Sequence, residues 1–519
     1  MKNLDCKKNK KINFGKKFWI FTAILLIVLS VTISLLVFIS KKSDDFVTEF
    51  SQNVNNYSLD VVIDCEDKKL NVKQKTTFIN QTEDVILNCV YFHIYPKAFC
   101  DGVVNKPVSS LNEKKAYPNG TSYGNFELIE VKLQGETTKS PRYLNADKDI
   151  LVVDLDSELL PNKSVDINLE YSLSLPNINH RYGYGNNTIN LGNFFLIACV
   201  YDKNSGYFAN SYHYNGDPFY SEISNFDAKV TYNKNYTLAS TGYVTHEEVD
   251  GENKVTSIKA DAVRDFALIL SDKFKIMQEV VDGVEVNYFY YSDQDPSKSL
   301  QTCKDSLKTF SKLFFNYPYK TLSVCESNFV YGGMEYPNLV FISDSLDNYE
   351  DYTYTIIHEI AHQWWYGMVG NNEYKYGFLD EGLTEYSTYL FFDENESYSM
   401  DTKEMIKNTT NSYLLFLDVY KEVFTTIDTS MIRDLDKFNT EPEYIYLSYV
   451  KGVLMFDNLK QLVGKTNFLK SLRFYFDQNK GKNAVPTDLV YAFSKTCKKD
   501  LESYFNSWFN GSVIIGNLS

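Results

Sequence analysis

The sequence predicts a multidomain chain, in which an N-terminal all-β domain of packed antiparallel sheets precedes a mainly α-helical domain. At 519 residues the chain is too long for one domain. Residues 46–270 mostly show the alternating hydrophobicity of strands, whereas helical patterns dominate from Tyr349 to the C-terminus. Hydrophobic residues make up 44% of the chain, with 41 Tyr and 36 Phe, so we expect substantial, aromatic-rich cores.

The first segment combines positive charge with a long apolar run. Residues 1–17 carry seven Lys and one Asp, and residues 18–40 form an almost wholly apolar run of 23 residues. Such a run can cross a bilayer as one helix. A cleaved signal peptide is the alternative, but the run is long for one and no small-x-small site ends it. We predict a retained single-pass anchor in the cell membrane, with a cytoplasmic N-terminus and residues 41–519 extracellular.

The β domain is predicted over residues 46–270. Stretches of alternation occur at 58–80, 164–175 and 226–241, and turn residues separate them at short intervals. The second domain, residues 271–519, starts with the strand pattern VEVNYFYY and continues with a helical pattern that stops at Pro318. The predicted secondary structure therefore changes from mainly strands to mainly helices near residue 271.

Charge and cysteine usage exclude some classes of function. The formal net charge of −15 argues against nucleic acid as a partner. The cysteines beyond Cys6 are odd in number, scattered and without metal-type spacing, so they predict no disulfide framework. Nothing in the sequence indicates an oligomeric state.

The most informative stretch reads HEIAHQWWYGMVGNNEYKYGFLDE, from His358 to Glu381. His358 and His362 stand four residues apart, which places both imidazoles on one face of a helix. That spacing suits two nitrogen ligands of one metal ion, and Glu359 lies beside them, within reach of a metal-bound water.

A third ligand is available downstream. Eighteen residues separate His362 from Glu381, which opens a second helical pattern. A carboxylate there completes a His, His, Glu zinc site and leaves a fourth position for water. The alternative is a chance HExxH on a buried helix, but a buried His pair without a metal needs other partners.

Two further motifs accompany this one. Gly332-Gly333-Met334-Glu335 precedes it and Tyr449-Val450-Lys451-Gly452 follows it. Together the three motifs resemble the gluzincin aminopeptidases, the family of aminopeptidase N and leukotriene-hydrolase-like zinc metallopeptidases. The runs 217–222 and 315–319 are similar to those of bacterial members.

The resemblance implies a β domain packed on a thermolysin-like zinc peptidase domain. It implies that one zinc ion is bound by His358, His362 and Glu381, with Glu359 as the general base. Tyr449 would donate to the oxyanion. The substrate-binding residues would be Gly332, Gly333, Met334 and Glu335, with Glu335 as the anchor for the α-amine of a peptide.

Two departures from the family pattern bear on substrate binding. Tyr336 stands where the family often has Asn after the Met-Glu pair, which affects the expected shape of the amine subsite. The sequence also ends soon after the predicted catalytic helices. We therefore expect the large C-terminal helical domain of many relatives to be missing, and the cleft to be more open.

The predicted function is that of a zinc aminopeptidase acting on peptides with a free N-terminus. A thermolysin-like endopeptidase shares HExxH, but its third ligand typically comes one residue later and it lacks the Met-Glu motif. An epoxide hydrolase and an inert, membrane-tethered binding module are further alternatives. Asp380 and Glu385 flank the third ligand and could orient it, but their positions favour an ordinary helix surface.

Overall fold

The computed structural model describes residues 46–134, 137–346, 348–424, 427–513 and 515. The predicted basic segment 1–17 and anchor 18–40 lie outside these ranges, so both stay predictions. No helix in the described part of the chain has the length and apolar character needed to span a bilayer.

The N-terminal part is built around an eight-stranded sheet. Its strands lie in the spatial order Tyr243–Asp250, Asn253–Val263, Ser224–Asn233, Asn55–Asp64, Lys69–Ile79, Ser164–Ser174, Asn125–Leu133 and Thr137–Thr138. Asn55–Asp64 alternates strictly between buried and exposed side chains. This is the pattern that the sequence predicts for a sheet with one face on the core.

One pair of strands in this sheet departs from the antiparallel arrangement. Asn55–Asp64 and Ser224–Asn233 run parallel, whereas the other neighbouring pairs are antiparallel. Antiparallel neighbours can be joined by a tight turn, but parallel neighbours need a long crossover. The intervening residues 65–223 supply it, because they build further strands before the chain returns.

Smaller sheets pack around this one. The first contains Thr237–Ser240, Ala267–Ser271, Ile189–Gly192 and Tyr182–Tyr184, and the second contains Ile197–Ala198, Leu87–His93, Ile150–Leu159 and Arg142–Tyr143. Tyr201–Asp202 pairs with Gly206–Tyr207. The shared core is rich in aromatic side chains: the ring of Tyr57 stacks on Phe226 at 4.8 Å, and Phe226 stacks on Phe266 at 5.4 Å.

A five-stranded mixed sheet opens the second part of the chain. Its order is Lys275–Val281, Val284–Tyr290, Thr321–Ser327, Leu339–Ser343 and Gly333–Met334. The edge strand Gly333–Met334 leads directly into Glu335, so this sheet carries the predicted amine anchor. The helix Tyr349–Ala361 follows the sheet and contacts it.

Helices make up most of the remainder, as predicted. The α-helices are Glu113–Ala116, Pro296–Leu313, Tyr349–Ala361, Glu373–Gly377, Leu383–Glu394, Thr402–Val423, Glu441–Ile445, Lys451–Val463, Lys465–Asn479, Pro486–Cys497 and Glu502–Phe509. Short 3₁₀ turns occur at Tyr95–Phe99, Glu396–Tyr398 and Leu435–Lys437, and π-helical turns at Phe378–Gly382 and Tyr446–Val450. The strand pair Gly370–Asn371 and Asn483–Ala484 ties two helical regions together.

The predicted fold class, a β-rich region followed by a mainly helical one, is confirmed. Buried Arg264 joins the two parts: its guanidinium donates to the carbonyl oxygens of Tyr366 and Lys482, both at 3.0 Å. The predicted boundary at residues 270 and 271 falls within the strand Ala267–Ser271 and stays a prediction. The seven cysteines in the described residues carry free thiols.

Candidate active site

The helix Tyr349–Ala361 presents the HExxH motif to a cleft. The side chain of Asn348 caps its first turn by accepting from the backbone N–H of Asp351 at 2.8 Å. The apolar residues of the motif face the core, and His358, Glu359 and His362 are themselves buried. Burial of three polar side chains in one turn is costly unless they have polar or metal partners.

The three predicted metal ligands converge at one point. The Nε2 atoms of His358 and His362 lie 3.1 Å apart. Glu381 places Oε2 at 3.4 Å from His358 Nε2 and at 3.3 Å from His362 Nε2. Ligands of a tetrahedral ion with bonds of about 2.0 Å lie about 3.3 Å from one another, so these atoms fit one zinc ion.

The Glu381 carboxylate is negatively charged where the three side chains meet, and it favours a positive charge beside it. Burial alone would raise the pKa of Glu381, but the two imidazoles lower it to about 2. Burial alone would lower the pKa of His358, but its contacts with Glu381 and Glu385 raise it to about 9. A divalent cation satisfies the same carboxylate without requiring charged imidazoles.

Asp380 orients His362 and Glu385 lies against His358, so the helix-surface interpretation of these residues is wrong. Asp380 is buried, with Oδ1 at 2.7 Å from His362 Nδ1. Glu385 places Oε2 at 2.8 Å from His358 Nδ1. The π-helical turn Phe378–Gly382 explains the difference, because its wider turn brings both Asp380 and Glu381 inward.

Glu359 lies against Gly333 of the edge strand. A methyl group on Gly333 would come within 2.5 Å of Glu359 Cγ, so only glycine leaves room for this side chain. One carboxylate oxygen of Glu359 is buried without a hydrogen-bond partner among the described residues. Burial raises its pKa to about 7, which suits a group that must accept and release a proton near neutral pH.

Tyr449 lies next to the predicted metal ligand His358. Its ring stacks on that of His358 at 6.1 Å and 10°. Burial and the nearby Glu381 carboxylate raise the pKa of Tyr449 well above its usual value, so the hydroxyl keeps its proton and remains a donor. Tyr449 lies on the second π-helical turn, Tyr446–Val450, a type of distortion that is frequent at functional sites.

Glu335 and Asp217, a residue that the sequence analysis did not single out, lie close together in the cleft. Carboxylate oxygens of Asp217, Glu335 and Glu381 lie within 4.8 Å of one another. Glu335 is buried, and its Oε1 has no hydrogen-bond partner in the described part of the chain. Asp217 comes from the β-rich part and is paired with Arg181. Asp217 is the first residue of the run 217–222, which is similar to a run in bacterial members of the family and indicates no role for this carboxylate by itself.

The remaining predicted substrate-binding residues separate into two groups. Gly332 and Gly333 line the cleft, whereas Met334 is buried in the core. Tyr336 also points away from the cleft, and its hydroxyl donates to Asn193 Oδ1 at 2.7 Å. Tyr336 therefore leaves the amine subsite unobstructed. A methyl group on Gly192 would overlap the Tyr336 hydroxyl, so this glycine makes room for it.

Part of the sequence matches the model of a known protein family. The description of the matching family model is "Peptidase family M1 domain", and it covers residues 298–508. This chain carries a peptidase family M1 domain. The range contains all three predicted metal ligands, Glu359, Glu335 and Tyr449, and the resemblance to the gluzincin aminopeptidases is confirmed.

Curated relatives match part of the chain. The chain is 25% identical over 236 residues to a leucine aminopeptidase 2 of Aspergillus clavatus, covering 40% of this chain and 37% of that protein. It is 26% identical over 217 residues to a leukotriene A-4 hydrolase homolog of Botryotinia fuckeliana, covering 39% of this chain and 34% of that protein. The matches thus span little more than a third of these relatives' length.

Solved structures with an M1 domain share the fold over most of the chain. An M1 zinc metallopeptidase from Deinococcus radiodurans has a TM-score of 0.63 at 16% identity, covering 90% of this chain and 96% of that one. A mutant M1 zinc metallopeptidase from the same organism, bound to a Tyr-Ser-Ala substrate, has a TM-score of 0.62 at 15% identity, with the same coverage. At this identity the likeness establishes the two-part architecture.

Proposed function

We propose that this chain is a zinc-dependent aminopeptidase that removes N-terminal residues from peptides. One observation carries the proposal: the predicted metal ligands and the Glu335 carboxylate share a cleft. Carboxylate oxygens of Glu335, Asp217 and the metal ligand Glu381 lie within 4.8 Å of one another. A metal next to an amine-binding carboxylate fixes the distance between the substrate's N-terminus and the bond that is cut. The family of the M1 domain supports the same assignment.

The residues of the cleft divide the chemistry between them. His358, His362 and Glu381 would hold zinc, which activates a water molecule and polarises the scissile carbonyl when bound. Glu359 accepts a proton from the attacking water and passes it to the leaving amine. The Tyr449 hydroxyl donates to the oxygen on which negative charge develops.

Recognition of the α-amine distinguishes an aminopeptidase from an endopeptidase. A free N-terminus is an ammonium group, which forms charged hydrogen bonds with carboxylates, whereas an acylated nitrogen cannot. Glu335 supplies a buried carboxylate, one of whose oxygens has no hydrogen-bond partner among the residues that the structure describes. Asp217 faces the same space, and we propose that it joins Glu335 in holding the ammonium.

A cleavage screen tests this function. The protein, loaded with zinc, would be offered peptide pairs that differ only in a free or an acetylated N-terminus. We expect stepwise release of N-terminal residues from the free peptides and little cleavage of the acetylated ones. Efficient cleavage of acetylated peptides at internal bonds would favour an endopeptidase, and no cleavage by the zinc-loaded protein would favour a binding module.

We also propose that the enzyme is anchored in the cell membrane by residues 18–40, with the catalytic part outside the cell. The support is the apolar run of 23 residues and its Lys-rich flank. Protease added to intact cells should remove the catalytic part, and cells opened beforehand serve as the control. Protection in intact cells would contradict the orientation.

A further inference from the structure

The two histidines of the metal site differ in how their Nδ1 atoms are held. Three oxygen atoms lie within 3.1 Å of His362 Nδ1, and they belong to Asp380, Thr384 and the backbone of Trp365. His358 Nδ1 has no hydrogen-bond partner among the described residues, but Glu385 Oε2 lies 2.8 Å from it. The surroundings of His358 Nδ1 therefore depend on the position of one carboxylate.

The position of the Glu385 carboxylate is set by Tyr354. The contact of Glu385 with His358 is close but lacks the alignment of a hydrogen bond, so the histidine alone does not fix the carboxylate. Tyr354 Oη donates to Glu385 Oε1 at 2.5 Å, a short hydrogen bond of the strong, charged kind. No Lys or Arg in the described part of the chain pairs with Glu385. Its side chain is 19% exposed and lines the cleft, so it has space to turn away.

Tyr354 and Glu385 lie on the two helices next to the predicted metal ligands. Tyr354 precedes His358 by four residues on the HExxH helix, so both side chains lie on one face. Glu385 follows Glu381 by four residues, near the start of the helix Leu383–Glu394. The hydrogen bond from Tyr354 to Glu385 therefore joins the two helices beside the metal site.

The Tyr354 ring has packing of its own, apart from the hydroxyl group. It stacks on the ring of Phe392 at 6.1 Å and 27°. Burial and the Glu385 carboxylate raise the pKa of Tyr354 well above its usual value, so the hydroxyl keeps its proton and remains a donor. Removal of the hydroxyl alone would release the carboxylate and leave the ring in place.

We propose that Tyr354 is a positioning residue, which holds the Glu385 carboxylate against His358 and thereby strengthens zinc binding. A carboxylate beside Nδ1 favours the imidazole tautomer that carries its proton there, which leaves Nε2 for the metal. Without the Tyr354 hydroxyl, the Glu385 side chain turns into the cleft and leaves Nδ1. The inference rests on the zinc site of the proposed function, but not on the cleavage of peptides.

Chelator competition on the full chain tests this by measuring zinc affinity in the wild type, Tyr354→Phe and Tyr352→Phe. Loss of a group that contacts a metal ligand typically costs about 10- to 100-fold in affinity. Tyr354 acts one contact further out, so we expect zinc to bind about three- to tenfold more weakly in Tyr354→Phe. Tyr352→Phe is the matched control, because Tyr352 lies on the same helix but shares its hydrogen bond with the Tyr288 hydroxyl, at 2.8 Å. Its zinc affinity should equal that of the wild type.

A double-mutant cycle with Glu385→Gln separates positioning from a merely structural role. Glu385→Gln should weaken zinc binding more than Tyr354→Phe does. The two changes together should weaken it no further, because the hydroxyl acts through that carboxylate. A structural role would lower the melting temperature of Tyr354→Phe and leave the zinc affinity of the folded protein unchanged.

Three outcomes would overturn the inference. They are an unchanged zinc affinity in folded Tyr354→Phe, equal losses in Tyr354→Phe and Tyr352→Phe, and additive losses in the double variant. Zinc affinity is measured without substrate, so the test is separate from turnover. A wild type that binds zinc but cleaves no peptide would contradict the proposed function, and the zinc affinities would still decide the role of Tyr354.

Discussion

Gly382 and Gly452 pack backbone against backbone and join the two elements that carry the reaction. A methyl group on Gly452 would lie 2.6 Å from the Cα of Gly382, and one on Gly382 would lie 2.8 Å from the carbonyl oxygen of Ser448. Gly382 directly follows the metal ligand Glu381, and Gly452 follows Tyr449 by three residues. The contact therefore fixes the distance between the metal site and the oxyanion donor.

Gly452→Ala should separate these two elements. The added methyl group has no space, and overpacking of this kind costs about 1–3 kcal/mol of folding stability. We expect a lower melting temperature and a reduced kcat with zinc still bound, because Tyr449 moves relative to the metal ligands. An unchanged melting temperature and kcat would show that the contact is loose.

Glu359→Gln should abolish turnover and leave zinc in place. The amide has nearly the same shape as the carboxylate but cannot accept the proton of the attacking water. Zinc content is measured by elemental analysis, and His358→Ala provides the contrast, because two protein ligands retain zinc poorly. If the Gln variant turns over peptides near the wild-type rate, Glu359 is not the general base.

Tyr449→Phe should lower kcat about 100- to 1000-fold, the usual cost of losing one oxyanion donor. The matched control is Tyr446→Phe. Tyr446 lies on the same π-helical turn, but its ring stacks on Phe416 at 4.5 Å, so its loss of a hydroxyl should leave kcat unchanged. If both substitutions change kcat equally, the Tyr449 hydroxyl is not the oxyanion donor and its side chain only packs in the helix.

Asp380→Asn should weaken zinc binding about 10- to 100-fold, because Asp380 orients His362 through Nδ1. Competition with a chelator of known affinity measures this. Asp401→Asn serves as the control, since Asp401 caps the exposed start of the helix Thr402–Val423. The same affinity in both variants would mean that the contact of Asp380 with His362 is dispensable.

Zinc affinity should rise with pH up to about 9. The pKa of His358 in the protein alone is raised to about 9, and zinc binds only the neutral imidazole. Below that pH the ion must displace a proton, so affinity falls about tenfold per pH unit for each proton displaced. Chelator competition from pH 6 to 9, with the chelator's own protonation taken into account, measures the slope. A flat profile would mean that His358 is already neutral.

The sequence by itself determined the features that depend on local spacing. The spacing of four positions from His358 to His362 places both imidazoles on one helix face, and the structure brings their Nε2 atoms to 3.1 Å. Stretches of alternation over residues 58–80 likewise predicted strands, and the structure has Asn55–Asp64 and Lys69–Ile79 there. These features depend only on the periodicity of one helix or strand, so the order of residues in the chain is sufficient to predict them.

Other features could not be predicted because they depend on how distant elements pack. Asp217 reaches the cleft from a segment far from the HExxH motif, and no local pattern records that approach. The run from Phe378 to Gly382 forms a π-helical turn, which changes the phase of the helix and turns Asp380 inward. Tyr336 leaves the cleft because Asn193 offers its hydroxyl a partner and Gly192 leaves it space. The positions of these side chains were decided by tertiary contacts. Which residue a side chain meets in the folded protein depends on how distant elements pack, and the spacing of residues in the sequence does not specify that packing.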